Sequence, residues 1–368
     1  MPTVAWAWAG WSPPRAVAGP GGCYERPRPA VRRGRSSSPG EDVARRQEGR
    51  PVTKVAATPL EPTPATLANP VRRYLLATRP AFLTIALAGC LLGFATALDA
   101  AFSWPLALLT VLLAVATQAG VNVFNDYYDH LNGTDAVNVD RLFPFTGGSR
   151  FIQNGVMSPR QMLAYALVLF GGVIAGGLWL IETRGVGLFW IGLGGLLIGW
   201  AYSAPPLKLN SRGLGELCVA AGFLLIVAGA DFVQRGAVST QPWLLGLPYA
   251  LLVTNILYIN QFPDRAADIL AGKRHWVARL EPAVAARGYW LILILSALAL
   301  VGLVAAQRLP ALALVSLLAL LPALKAGRIL SAHAHEPARL VPALQMTIAA
   351  AHIQPVILSA VLAWVNLT

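Results

Sequence analysis

A bundle of membrane-spanning α-helices is the fold class that this sequence predicts, and three observations predict it. Of 368 residues, 56% are hydrophobic and only 12% are charged, against roughly 45–50% apolar and about 25% charged in soluble domains. From Ala81 onward the apolar residues gather into long runs separated by short polar loops, each run about the 17–25 residues that a helix needs to cross a bilayer. Lys and Arg then fall almost wholly in alternate loops, the asymmetry that orients helical membrane proteins. The expected class is therefore an all-α membrane protein with the lipid bilayer as a partner.

The chain opens with a segment of different character. Residues 1–80 carry 13 of the 29 Lys and Arg residues and 5 of the 17 Asp and Glu, so most of the net charge of +12 resides there. Residues 1–70 are dense in Pro, Gly and Arg, with no sustained period of 2 or 3.6. They are expected to be a disordered basic arm, because such a segment buries too little apolar surface to offset its ordering entropy. A start codon assigned too early and a transit peptide are the other readings of this arm. Val4–Gly10 is too short for the apolar core of a signal peptide and soon meets Pro13 and Pro14. No nucleic-acid partner is expected, because a nucleic-acid binder carries a folded basic stripe with base-reading or stacking residues. Cys23, Cys90 and Cys218 lie far apart and form no C-x-x-C pair, so neither a zinc site nor a disulfide framework is indicated.

Residues 71–368 form the expected membrane domain. Nine apolar runs follow one another at approximately 81–99, 104–125, 161–181, 186–203, 214–233, 243–262, 287–306, 309–324 and 345–366. The eighth is short and flanked by Pro310 and Pro322, residues that interrupt helices. With the arm inside, the inside segments carry 26 Lys and Arg and the outside segments only Arg184, Arg235 and Arg308. The expected topology places the N-terminus in the cytoplasm and the C-terminus across the membrane, which for a bacterial chain is the inner membrane.

The scarce acids are the informative residues. Of 12 after position 80, six lie in two cytoplasmic segments: Asp126, Asp129, Asp135 and Asp140 after the second run, and Asp264 and Asp268 after the sixth. Carboxylates beside a membrane are costly, so a cluster at helix ends needs a reason. If the second helix continues, Asn122, Asp126 and Asp129 share one face, with Asn125 alongside. Asn260 precedes the second pair, and Pro263 is expected to begin a new helical turn there. Two acidic faces at one membrane surface suit a hard divalent cation; Mg²⁺ is usually held by one or two carboxylates plus substrate phosphates. Arg150, Lys208, Arg212, Lys273 and Arg274 stand in the same loops to take phosphate charge. The constellation reads as a diphosphate site on Mg²⁺, whereas Asp140 reads as a solvated cap. Asp231 reads as solvated beside Arg235, His352 as a packed polar residue, and Glu216 as either a helix cap or a partner of the site's basic residues.

Asn122-x-x-Asn125-Asp126-Tyr-Tyr-Asp129 with Asp264-x-x-x-Asp268 resembles the UbiA superfamily of intramembrane aromatic prenyltransferases, nine-helix bundles with two aspartate-rich motifs after helices 2 and 6. Arg79-Pro80, Thr146-Gly-Gly-Ser-Arg150-Phe-Ile-Gln-Asn-Gly155, and Tyr202-Ser-Ala-Pro-Pro-Leu-Lys208 leading to Gly213-Leu-Gly-Glu216 agree, and the likeness covers roughly residues 72–368. The 4-hydroxybenzoate branch usually carries a third Asp where this chain has Gly133. Gly133-Thr-Asp135, the Gly-Gly-Ser-Arg loop and Ala271-Gly-Lys-Arg are similar to the 1,4-dihydroxy-2-naphthoate branch of menaquinone synthesis. Pro263, His275 and Glu281 depart from that branch, where Arg, Thr and Gly are frequent.

The resemblance implies Mg²⁺-dependent transfer from a polyprenyl diphosphate to an aromatic acceptor. It implies Asp126, Asp129, Asp264 and Asp268 as metal-binding catalytic residues. Asn122, Asn125, Arg150, Tyr202, Lys208, Asn260 and Lys273 become substrate-binding residues, with Tyr127, Tyr202 and Tyr258 shielding an allylic cation. Acceptors of the 4-hydroxybenzoate, haem and homogentisate types are the alternatives within the superfamily. Outside it, a secondary transporter would place its acids near the bilayer midplane, and a CDP-alcohol phosphotransferase would carry an Asp-Gly-x-x-Ala-Arg signature absent here.

Overall fold

The computed structural model describes residues 61–367. All regular elements among them are helical. Nine helices account for the nine apolar runs: α1 (Pro80–Thr96), α2 (Trp104–Leu131), α3 (Pro159–Arg184), α4 (Gly187–Ser203), α5 (Gly215–Arg235), α6 (Gln241–Leu270), α7 (Pro282–Ala305), α8 (Leu320–His333) and α9 (Val341–Leu367). Seven of the described helical segments are long and apolar enough to cross a membrane, or eight if the short helix Pro70–Ala77 and α1, bent by 61°, count as one span. At 17 residues α4 stands at the lower limit of span length. The expected all-helical bundle stands, with seven or eight full-length spans among the described residues.

Two boundaries differ from expectation, both at prolines. The eighth run begins as a 3₁₀ stretch, Ala311–Ala319, and continues as α8 to His333, with Pro322 inside its first turn. A proline is tolerated there because the N–H it lacks would have no intrahelical partner. Pro263 starts no new helix: α6 runs unbroken through it for 30 residues. The two acidic clusters therefore each sit on the last turns of a long helix.

Packing explains which helices face lipid. α6 contacts α1, α5, α7 and α9, and 72% of its most apolar stretch is buried, against 11% for α3. Since apolar side chains gain nothing by leaving lipid for protein, close backbone approach and interhelical hydrogen bonds hold such bundles together. Gly93 is one close approach: a Cβ there would lie 2.3 Å from the Val227 carbonyl of α5. Tyr249 donates its hydroxyl to the Ile85 carbonyl at 2.6 Å, and Asn255 donates to the Tyr289 carbonyl at 3.1 Å. His352 joins α9 to α1 through Thr84 Oγ1 at 2.8 Å, the packed role expected of it.

Two expectations are corrected outside the acidic motifs. Asp231 is buried rather than solvated; it accepts from Thr96 Oγ1 at 2.9 Å and pairs with Arg235 at 3.2 Å. An internal cation and hydroxyl replace water as its solvent. Residues 61–69, assigned by composition to the arm, contact the domain: Leu67 is buried, and Glu61 pairs with Arg141 at 2.6 Å. The rest of that arm lies outside the described residues.

Candidate active site

Helical periodicity delivers the first motif as expected. α2 continues to Leu131, so Asn122 and Asp126 lie one turn apart and both are buried, while Asp129 sits beside them. Asn122 donates to the Thr78 carbonyl at 2.9 Å and Asn125 to Ser203 Oγ at 2.9 Å. These two asparagines fix α2 against the entry to α1 and the end of α4. α6 contributes Asp264 and Asp268 from its final turns. The negative end of a helix dipole disfavours carboxylates at those positions, so both pairs call for compensating donors or cations.

The loop between α2 and α3 supplies part of that compensation. Ser149 N–H donates to Asp126 Oδ2 at 3.0 Å, and Gly147 N–H donates to Asp264 Oδ2 at 3.2 Å. One Gly-Gly-Ser turn thus caps one carboxylate from each helix. Asn138 donates to Asp264 Oδ1 at 2.7 Å. Sequence reasoning missed Asn138 and the two amides; the Thr146-Gly-Gly-Ser149 run was the available signal, since successive backbone N–H groups in such turns form anion-binding nests.

Lys273 links the two motifs. Its Nζ lies 3.0 Å from Asp129 Oδ1 and 3.0 Å from Asp268 Oδ1. Burial alone would lower the ammonium's pKa, but the two carboxylates outweigh it and hold the pKa above the ordinary lysine value. Asp268 also meets His275 Nε2 at 2.9 Å. Since His275 Nδ1 accepts from Ala278 N–H at 3.2 Å, Nε2 carries the proton and donates. Lys273 is thus the shared counter-charge of one aspartate from each motif. Arg150, in the left-handed region at φ 64°, donates to the Asp135 carbonyl and approaches Glu61 at 3.9 Å. Lys208, also left-handed at φ 44°, donates to Asn132 Oδ1 at 2.7 Å.

Asp135 completes the acidic cluster. Burial, then the charges of Asp129 and Asp126, push its carboxyl well above the usual carboxylate range. Gly148 sits where its missing Cβ would lie 2.9 Å from Asp126 Oδ1 and 3.1 Å from Asp135 Oδ2, at φ +70°. Gly148→Ala should displace both carboxylates and lower the melting temperature by several degrees, because its backbone strain costs about 1–2 kcal/mol on top of the clash. A melting temperature equal to wild type in a thermal denaturation series would refute this packing.

The donor set fits a hard divalent cation. Asp126 Oδ1 is buried with no hydrogen-bond partner, and the charges of Arg79 and Asp129 both act on its carboxylate. Among the described residues no three His, Cys, Asp or Glu side chains form a ready metal group. Mg²⁺ characteristically takes one or two carboxylates and completes its shell with water and substrate phosphates.

Beside this cluster lies a cavity of about 420 Å³. Arg79, Asn122, Asn125, Tyr202 and Asn260 contribute polar atoms, and the rest of the lining is overwhelmingly apolar. Thr110 and Asn125 of α2 both line it, so it extends about 22 Å along that helix at 1.5 Å per residue. Of the three rings expected near the reacting carbon, Tyr202 lines the cavity. Tyr258 is buried and donates to the Ala285 carbonyl at 2.8 Å, while Tyr127 packs edge-on against Tyr128.

Two acidic pairs near an apolar cavity lined by the adjoining Asn122, Asn125 and Asn260 match what the motifs imply, and the pattern of the UbiA prenyltransferase family fits residues 86–350. The chain belongs to the UbiA prenyltransferase family. The 1,4-dihydroxy-2-naphthoate octaprenyltransferase of Bacillus subtilis is 30% identical over 202 residues, which cover 54% of this chain and 62% of that protein. The 2-carboxy-1,4-naphthoquinone phytyltransferase of Synechocystis is 28% identical over 232 residues, 61% of this chain and 70% of that protein. The fold agrees with an apo UbiA homolog from Aeropyrum pernix K1, at TM-score 0.56 and 20% identity over 82% of this chain and all of that one. It also agrees with a UbiA homolog from Archaeoglobus fulgidus bound to DMAPP and Mg²⁺, at TM-score 0.54 and 17% identity over 78% of this chain and 99% of that one.

Proposed function

We propose that this UbiA-family chain transfers a polyprenyl group from a polyprenyl diphosphate to 1,4-dihydroxy-2-naphthoate, a step of menaquinone biosynthesis. The observation that carries the reading is the position of Asp126, Asp129, Asp264 and Asp268 on the last turns of two helices whose ends Lys273 bridges, beside a long apolar cavity. The naphthoate substrates named for its bacterial relatives support the choice of acceptor. When bound, Mg²⁺ supplies the positive charge that offsets the diphosphate as its C–O bond breaks.

The chain's own residues do the rest. Asp126 and Asp264, with Asp129 and Asp268, would hold the cation. Arg150 and Lys208 stand in adjoining loops to bind the diphosphate, and Asn122, Asn125 and Asn260 orient the reacting ends. The apolar lining takes the prenyl tail and excludes water from an allylic cation, which the aromatic ring of the cavity-lining Tyr202 can stabilise. The site-bearing end faces the cytoplasm, in accord with the distribution of Lys and Arg. A cysteine at the exposed Ala237 should then react with an impermeant maleimide in intact cells, and one at Asp140 should not; the reverse pattern would invert the orientation.

Membranes containing the chain, incubated with radiolabelled polyprenyl diphosphate, Mg²⁺ and a panel of aromatic acids, should yield prenylated naphthoquinol, pyrophosphate and the acceptor's carboxylate as carbon dioxide. A labelled product on 4-hydroxybenzoate alone would reassign the acceptor. Solute uptake without pyrophosphate release would remove the enzymatic reading.

A further inference from the structure

Among the buried acceptor atoms without donors, three lie together on α5 and α6, apart from the four motif carboxylates: Glu216 Oε2, Gln261 Oε1 and Asn260 Oδ1. Gln261 is itself 7% exposed and donates Nε2 to Glu216 Oε1 at 2.9 Å. This bond leaves Glu216 Oε2 and Gln261 Oε1 as the unsatisfied ends of the pair. Asn260 lines the cavity together with Tyr202, Cys218 and Val219. Glu216 lies close enough to Tyr202 and Cys218 for its charge to act on both.

Buried acceptors without donors cost about 1–3 kcal/mol each, more when charged. Such groups persist where a ligand supplies the missing hydrogens, and for these three atoms the missing partner is a donor. A diphosphate brings only acceptor oxygens and would be repelled by Glu216. A prenyl tail brings no polar hydrogens. A hydroxylated aromatic ring brings O–H groups on a flat apolar body suited to the lining around Tyr202.

We propose that Glu216, Gln261 and Asn260 form the subsite that accepts hydrogen bonds from the hydroxyl groups of the aromatic acceptor, with Glu216 as its specificity-determining residue. The proposal rests on the prenyl-transfer reading above. Sites built to hydrogen-bond a substrate hydroxyl reject analogues lacking it by large factors, because the buried partners are left unpaired.

The test is steady-state kinetics in membranes, with pyrophosphate release and product both measured, after wild-type activity on a dihydroxynaphthoate has been established. Absence of that wild-type activity would count against the prenyl-transfer reading itself. Given that activity, Glu216→Gln should raise KM for the dihydroxynaphthoate at least about tenfold while KM for the prenyl diphosphate stays within about twofold. It should also shrink the wild-type preference for the dihydroxy acceptor over its monomethyl ether. Gln261→Met, which removes one orphan acceptor and frees Glu216, should produce the same selective rise and serves where Glu216→Gln fails to accumulate. An unchanged acceptor KM and unchanged ether discrimination would overturn the proposal. So would equal rises in both KM values, because a helix-capping role for Glu216 would not distinguish the two substrates.

Discussion

Asp126→Asn is expected to lower the rate of pyrophosphate release by about 100- to 1,000-fold, the scale on which removing one stabiliser of developing charge acts, without lowering the melting temperature. The two halves of that expectation have one cause. Asp126 is buried at the negative end of α2, near Asp129 and Asp135, and its burial outweighs the favourable charge of Arg79, so its ionised form costs stability. An asparagine of the same shape can still accept the Ser149 N–H bond while removing one of the repelling charges. Stability should therefore hold or rise as activity falls. Asp264→Asn should behave alike, since Gly147 N–H and Asn138 cap that side chain. Pyrophosphate release at saturating Mg²⁺ and thermal denaturation in detergent are the two measurements. Wild-type turnover in either variant would remove the carboxylates from the metal site. Joint loss of turnover and of folding would make them structural caps.

Helix periodicity and the bilayer's thickness made the bundle legible, because an apolar run of span length has few other folds open to it. The same periodicity placed Asn122, Asp126 and Asp129 on one face. What stayed hidden is contact between segments distant in sequence. Lys273 reads as a free loop cation until the ends of α2 and α6 are seen to converge, when it becomes the counterion of Asp129 and Asp268. Asn138 and the amides of Gly147 and Ser149 are unremarkable loop groups until their loop folds over both motifs. Asp231 was misread for a related reason: an acid next to a basic residue at a span's end reads as solvated, whereas Thr96 and Arg235 make an internal partner set for it. Pro263 was misread locally, since a proline weighs against helix continuation by its chemistry alone and tertiary packing around α6 overrides it.

Lys273→Met is expected to destabilise the protein by about 3–5 kcal/mol, the usual cost of removing one partner from a buried ion pair and leaving the other uncompensated. Both carboxylates are largely buried, with side-chain exposures of 14% for Asp129 and 7% for Asp268. Asp268 retains the His275 N–H, whereas Asp129 loses its ammonium. A divalent cation then becomes the available counter-charge, so Mg²⁺ should raise the variant's melting temperature more than the wild type's, by mass action on the folded state. Titration of both proteins with Mg²⁺ in the absence of substrate reads this difference directly. If Lys273 instead served only to bind a diphosphate, the variant would keep the wild-type melting temperature and Mg²⁺ response and show only a raised KM for the prenyl donor. Lys273→Arg sharpens the contrast: an arginine preserves the charge and its ability to bridge two carboxylates, so it should restore most of the lost stability even if its bulk lowers turnover.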